Sequence, residues 1–204
     1  LSNKNYNSNE VKDGYFYENQ AEFYLSIDDL DNALESLIAA EEIYKDSLDY
    51  EGLYNIYSLS LSLSIQNKIF RNDKARYFFD LISDIKPFLN EEDKLWATAL
   101  EVDVLVLEFE FSKANEILTK LDLLIQKSKF NNQLVYTDLY VYIKSSLGSI
   151  NFQLGEFKSG FEHTDIAIEY LKKNIVIVPV IAAIIAGTFT SVRYVLNLTD
   201  TITA

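Results

Sequence analysis

A single histidine, His163, and the complete absence of cysteine leave this chain little equipment for group transfer. Cysteine nucleophiles, thiolate metal sites and disulfides are excluded by composition, although a cysteine-free chain fits either redox compartment. Carboxylates are the remaining candidates. The adjacent acids Asp28-Asp29 and Glu41-Glu42 are of the type used for general acid and base work, but they read more economically as helix caps and solvated faces. Aspartate in a turn caps the orphan amides of the next helix, which accounts for Asp28, Asp29 and Asp31. A calcium loop would need the spaced ligands of an EF-hand, and these are missing. His163 falls inside a helical pattern among polar neighbours and is expected to be an exposed structural residue rather than a ligand or pH sensor. With no phosphate-cradling glycine loop and no nucleophile and base pair, neither an enzyme, a metal nor a cofactor is expected.

Composition points to a folded helical protein. Hydrophobic residues make up 49% of the 204 positions and aromatics 14%, too rich for a disordered segment. Only two prolines and six glycines occur, with few β-rich stretches between turn residues, so an all-α chain is expected over a sandwich or barrel. Eighteen basic against 31 acidic side chains give a net charge of −13, which repels phosphate backbones and anionic headgroups. Nucleic-acid binding by this segment is therefore not expected. Residue 1 is not methionine and no basic n-region precedes an apolar core, so no signal peptide is visible and the chain reads as a fragment or a processed form.

The side chains are positioned by a recurring pair of amphipathic helices. In Val141–Asn174 the first helix carries Leu147, Ile150 and Leu154 at three- and four-residue steps, beside Gly148. A tight turn at Gly155 leads to a second helix with Phe157, Phe161, Ile168 and Leu171 as bulk, and Gly160 and Ala167 as gaps for close approach. Earlier, Tyr17, Ala21 and Tyr24 form one stripe, a turn falls at Ile27 to Leu30, and Ala33, Leu37, Ala40 and Tyr44 form the next. A third pair runs from Tyr50 through the alternating SLSLSLS run to a turn near Arg71-Asn72, then through Phe79, Ile82 and Ile85 to Pro87. Helix is expected for that run despite its period of two. The fourth pair starts at Glu91-Glu92-Asp93, passes Trp96 to Phe109, turns near Phe111-Ser112 and continues with Leu118, Leu121, Leu124 and Ile125 as its core stripe. The first small residues of the second helices are Ala33, Ala75, Ala114 and Gly160, separated by 42, 39 and 46 residues.

The order Leu147-Gly148, Phe152, Gly155-Glu156-Phe157, Gly160, Ala167 resembles the tetratricopeptide repeat. Units of about 40 residues resemble the longer repeats of bacterial signalling receptors and regulators, in which a short polar connector such as Asp49 to Gly52 precedes the next pair. The resemblance covers residues 14–174, with Leu63 and Val102 at sites usually held by glycine or alanine. It implies a right-handed α-solenoid of four antiparallel helix pairs over residues 13–174, after a polar lead-in at 1–12. It also implies a non-enzymatic scaffold that takes a peptide or protein segment in a concave groove lined by the first helices. On that face would lie Tyr15, Glu18, Glu22, Trp96, Asp103, Tyr142, Ser145, Ser149 and Gln153. Relatives that clamp a C-terminal carboxylate use lysine, arginine and asparagine there, whereas these positions are acidic, hydroxyl or aromatic, so such a clamp is not expected. Residues 1–47 hold eleven acids against three lysines, net −8, which favours a peptide with basic residues toward the first pair.

The last segment, 175–204, supports two readings. Ile175 to Val192 has no charged residue in 18 positions and could cross a bilayer, with Lys172 and Lys173 placing the repeats on the cytoplasmic side. Alternatively Pro179 to Leu196 is the first helix of a fifth pair or a capping helix, with Ile181, Ile184, Ile185, Val192 and Leu196 as its buried stripe. A cytoplasmic module is the expectation, and a membrane-tethered scaffold or sensor is the alternative.

Overall fold

Four of the helix connections share one hydrogen-bonded turn. The computed structural model describes residues 13–66, 69, 71–127 and 134–174, and among them the backbone is helical with no strand. The helices are α1 (Gly14–Ser26), α2 (Leu30–Ser47), α3 (Tyr50–Ile65), α4 (Ala75–Ile85), α5 (Glu91–Leu107), α6 (Phe111–Lys127), α7 (Leu134–Gln153) and α8 (Phe157–Asn174). Short 3-10 turns, Asn72–Lys74 and Lys86–Phe88, bracket α4. The lead-in at 1–12 and the whole of 175–204, with both readings of its apolar stretch, lie outside the described residues. No described helix is long and apolar enough to cross a membrane.

In each shared turn one residue is left-handed: Asp28 (φ 60°), Leu48 (φ 56°), Phe109 (φ 61°) and Gly155 (φ 78°). Its amide bonds to the carbonyl three residues back, as Gly155 does to Phe152 at 3.1 Å. The next amide reaches five residues back, at 2.9 Å for Asp29 and Asp49 and 2.8 Å for Glu110 and Glu156. This double closure satisfies the last carbonyls of the preceding helix. The residue after the left-handed one is always an acid, and its carbonyl accepts the first bond of the new helix, from Ala33, Leu53, Ala114 and Gly160. The acid's side chain can also cap: Asp49 accepts from the Gly52 amide at 2.9 Å, and Asp29 accepts from Asn32. Asp13 and Asn90 cap α1 and α5 in the same manner. The aspartate turn is thus a capping device, and Asp49 to Gly52 is no connector, because α3 begins at Tyr50.

The chain divides into two compact units, one ending at Ala97 and the next beginning at Thr98. In the N-terminal unit α1 packs on α2, α2 on α3 and α3 on α4, with α1 also touching α3. Ala33, Leu37, Ala40 and Tyr44 are buried along α2, as are Phe79, Ile82 and Ile85 along α4. Gly14 and Gly52 form a slot for the Tyr44 ring: an added Cβ on Gly14 would stand 2.7 Å from its Cζ, and one on Gly52 2.5 Å from the same atom. The SLSLSLS run is helical because Leu61, Leu63, Ser60 and Ser64 are all buried, so the serines occupy interior positions instead of a solvent face. Ser64 donates to the Ser60 carbonyl at 3.0 Å, which satisfies its hydroxyl within the helix.

In the C-terminal unit α7 packs on both α6 and α8. Ala114, Leu118, Leu121 and Ile125 are buried on α6. Gly148 on α7 is buried, and a Cβ there would meet Thr164 Oγ1 and stand 3.1 Å from the Gly160 carbonyl oxygen, so the two helices meet at this pair. Several expected positions differ. The turn before α6 is Glu108 to Glu110, two residues earlier than expected, because Phe109 takes the left-handed conformation in place of a usual turn former. Leu124 is exposed beside the buried Ile125, since the α6 stripe runs through 118, 121, 122 and 125. Leu154, Phe157 and Phe161 are exposed rather than core, the last two at 61% and 62%. Small residues set the closest α7–α8 approach, and Phe161, though largely exposed, packs edge-on to Phe152 of α7 at 5.0 Å.

Two predictions follow from this packing. Leu48→Gly and Phe109→Gly, at exposed left-handed positions, should each stabilise by about 0.5 to 1 kcal/mol, whereas Gly155→Ala should destabilise by about 1 kcal/mol. Gly52→Ala and Gly148→Leu should each destabilise by about 1 to 3 kcal/mol through overpacking. Midpoints of urea unfolding read both sets, and an unchanged midpoint for Gly148→Leu would mean that the α7–α8 contact does not pass through that residue.

Candidate functional site

Tyrosine hydroxyls directed at carboxylates dominate the polar geometry. In the N-terminal unit Tyr44 on α2 donates to Glu18 on α1 at 2.6 Å, and Tyr57 on α3 donates to Glu41 on α2 at 3.0 Å. Glu41 also pairs with Lys45 at 2.6 Å. Burial, followed by the neighbouring carboxylates, holds both hydroxyls well above the usual phenol range. Tyr54 is pushed up to about 12, chiefly by burial, with the charges of Asp93 and Glu92 adding.

Four of the groove candidates belong to this unit. Tyr15 is 67% exposed, Glu22 is exposed and Trp96 is half-buried. Glu18 is half-buried with its carboxylate committed to Tyr44. Tyr15 and Glu22 are therefore open to solvent on α1, whereas Glu18 is not.

The other five lie in the C-terminal unit, where the structure brings two of them together. Tyr142 on α7 donates to Asp103 on α5 at 2.7 Å, and its hydroxyl oxygen also stands 3.3 Å from the Ala99 carbonyl oxygen. Burial pushes the Asp103 carboxyl up to about 6, and the Tyr142 hydrogen bond partly offsets this. Tyr142 is itself raised, by burial first and by Asp103 second. Ser145 donates to the Tyr142 carbonyl at 3.0 Å, Ser149 is half-buried and Gln153 is exposed.

Sequence reasoning missed a buried charged cluster in the same unit. Asp122 on α6 accepts from Lys144 on α7 at 2.7 Å and from Gln126 at 2.9 Å, and Lys144 is only 3% exposed. The Lys144 ammonium lies 5.3 Å from the centre of the Tyr140 ring, a cation–π distance. His163 is half-buried rather than exposed, because α8 turns this side toward Lys144 and Asp122. A signal was present: Lys144 falls on the stripe of Val141, Leu147, Gly148 and Asn151, and Asp122 on that of Leu118, Leu121 and Ile125. A charge on an apolar stripe requires a buried partner. Among the described residues no three histidine, aspartate or glutamate side chains group as metal ligands would.

These features define an all-α protein of tightly turned helices cross-linked by tyrosine–carboxylate bonds. No protein-family model matches the chain, and no curated protein matches it.

Asp103 generates a pH prediction. Its carboxyl is raised in the fold, so the native state binds the proton more tightly than the unfolded chain does, and stability falls as pH rises from about 4 to about 6. Asp103→Asn keeps an acceptor for Tyr142 and removes the buried charge. It should stabilise at pH 7 by roughly 1 to 3 kcal/mol and abolish that component of the pH dependence. Urea unfolding at about pH 4 and about pH 7, the two sides of that window, measures it.

Proposed function

We propose that this chain is a non-enzymatic peptide- or protein-binding module with tetratricopeptide-like repeats, wound as a right-handed superhelix, and that it serves as the recognition part of a larger signalling or regulatory protein. One observation carries the reading: the same left-handed residue, acid and helix start recur at Asp28, Leu48, Phe109 and Gly155, and three of the four helices that follow have alanine or glycine as their fourth residue. Recurrence of one turn with one packing rule supports a repeat array, in which first helices share a face and leave polar side chains upon it.

The ligand is an extended peptide with basic residues toward α1. Tyr15 and Glu22 support this, since they leave an aromatic surface and an uncommitted acid on the first helix of the chain's most acidic segment.

Binding of a basic-aromatic peptide library, measured at low salt and at about 0.5 M salt, tests the proposal. Glu22→Lys is the clean probe, because Glu18→Lys would also remove the acceptor of Tyr44. The expected outcome is preference for basic peptides, with affinity and salt dependence both reduced in Glu22→Lys. A preference for acidic peptides, or a variant equal to the parent, would overturn it.

A further inference from the structure

The buried ion pair between α6 and α7 is short of one partner. Asp122 uses Oδ2 for both Lys144 and Gln126, while Oδ1 is buried and makes no hydrogen bond. His163 on α8 likewise has a buried Nδ1 with no hydrogen bond. Lys144 is enclosed, with its side chain 4% exposed against 12% for that of Asp122, so neither charge can relax into water. Around them stand Tyr140 on α7, whose ring lies near Lys144 and meets that of Tyr170 on α8 at 4.7 Å and a tilt of 53°, and Glu162 next to His163. α7 thus carries a fixed cation between α6, which supplies the acid, and α8, which supplies a titratable imidazole.

We propose that Asp122, Lys144 and His163 form a proton-sensitive latch that fastens α8 to α7, closed while His163 is neutral and loosened as the medium acidifies. A neutral imidazole adds no charge on the α8 side of the Lys144 ammonium. A protonated one adds a second cation with its Nδ1 buried and without a hydrogen-bond acceptor, while the Asp122 Oδ2 is already shared by Lys144 and Gln126. Burial first, and Lys144 second, hold the His163 pKa below its usual value, against the weaker pull of Asp122 and Glu162. The unfolded chain therefore takes the proton at higher pH than the folded one. Stability from the latch is complete above about pH 6.5 and is lost as pH falls below that value toward the native midpoint. This response is opposite in sign to that of Asp103, and the two are separable by mutation.

The chain has one histidine, so its imidazole proton resonance reports this site alone in the intact protein. The expected titration midpoint lies below about 6.5, rises in Lys144→Met and falls further in Asp122→Asn. A midpoint at or above the ordinary value in the parent, or one that neither variant moves, would overturn the proposal. Amide hydrogen exchange of α8 gives a second readout that does not depend on either buried-pair variant. After correction for intrinsic pH effects, opening of α8 in the parent should increase on acidification by up to about tenfold for each unit of depression of the His163 midpoint. His163→Gln should remove that increase, and equal acid sensitivity in parent and variant would again overturn it.

Discussion

Tyr44 has space for its ring because two neighbouring positions have no side chain at all. Its aromatic face is enclosed by Gly14 at the start of α1 and Gly52 in the first turn of α3, while its hydroxyl is fixed by Glu18. One residue of α2 thereby sets the distance to both flanking helices and the rotation of α1. A ring free to swing could make way for a methyl group, but a buried ring tied at its far end cannot. The contact between α1 and α3 follows from this, since both reach the same tyrosine from opposite sides. In the C-terminal unit the corresponding economy of space is reached differently, with Gly148 of α7 against Thr164 and the Gly160 carbonyl of α8.

The surplus of acid takes on a structural role in this setting. Carboxylates of Glu18, Glu41 and Asp103 each accept a hydroxyl from a tyrosine on another helix, at 2.6, 3.0 and 2.7 Å. Hydrogen bonds to a charged acceptor contribute about 1.5 to 3 kcal/mol, more than neutral pairs, and a phenol supplies one without adding a positive charge. A lysine in the same place would carry a longer, more mobile chain and a greater desolvation cost. The fourteen tyrosines and the negative balance of the chain are therefore partly one feature, a set of acids bridged by neutral donors. Acids also follow every left-handed turn residue, where the start of a helix favours negative charge.

Much of the architecture was legible in residue spacing, because small residues cannot be exchanged for large ones where helices touch. Ala33, Ala75, Ala114 and Gly160 are all buried, and the helix through SLSLSLS obeys the context of its neighbours. Legibility failed where a residue departed from its usual use. Phe109 is an unusual choice for a left-handed turn, so the turn was displaced to Phe111 and Ser112; the acid and aromatic after it were the better marker. Phe157 and Phe161 have the composition of core residues, but the closest approach of α8 to Gly148 runs through Gly160 and Thr164 and leaves both rings largely exposed. At the candidate site, the repeat resemblance put Asp103 and Tyr142 on one expected face but gave no sign that each satisfies the other. Lys144 and Asp122 were overlooked because charged side chains are normally assigned to solvent.

Two titrating groups in the C-terminal unit respond to acid in opposite directions, and this has a consequence for how that unit holds together. Asp103, raised to about 6, gains from a proton in the folded state, so acidification strengthens the junction of α5 and α7. His163, lowered by burial and by Lys144, resists a proton, so the same change weakens the junction of α7 and α8. Where their titrations overlap, their contributions to the global free energy oppose each other. Cancellation in the sum is not cancellation in space. The two responses act at different contacts of α7, at Tyr142 toward α5 and at Lys144 toward α6, so local opening of α8 would register a change that global unfolding averages out.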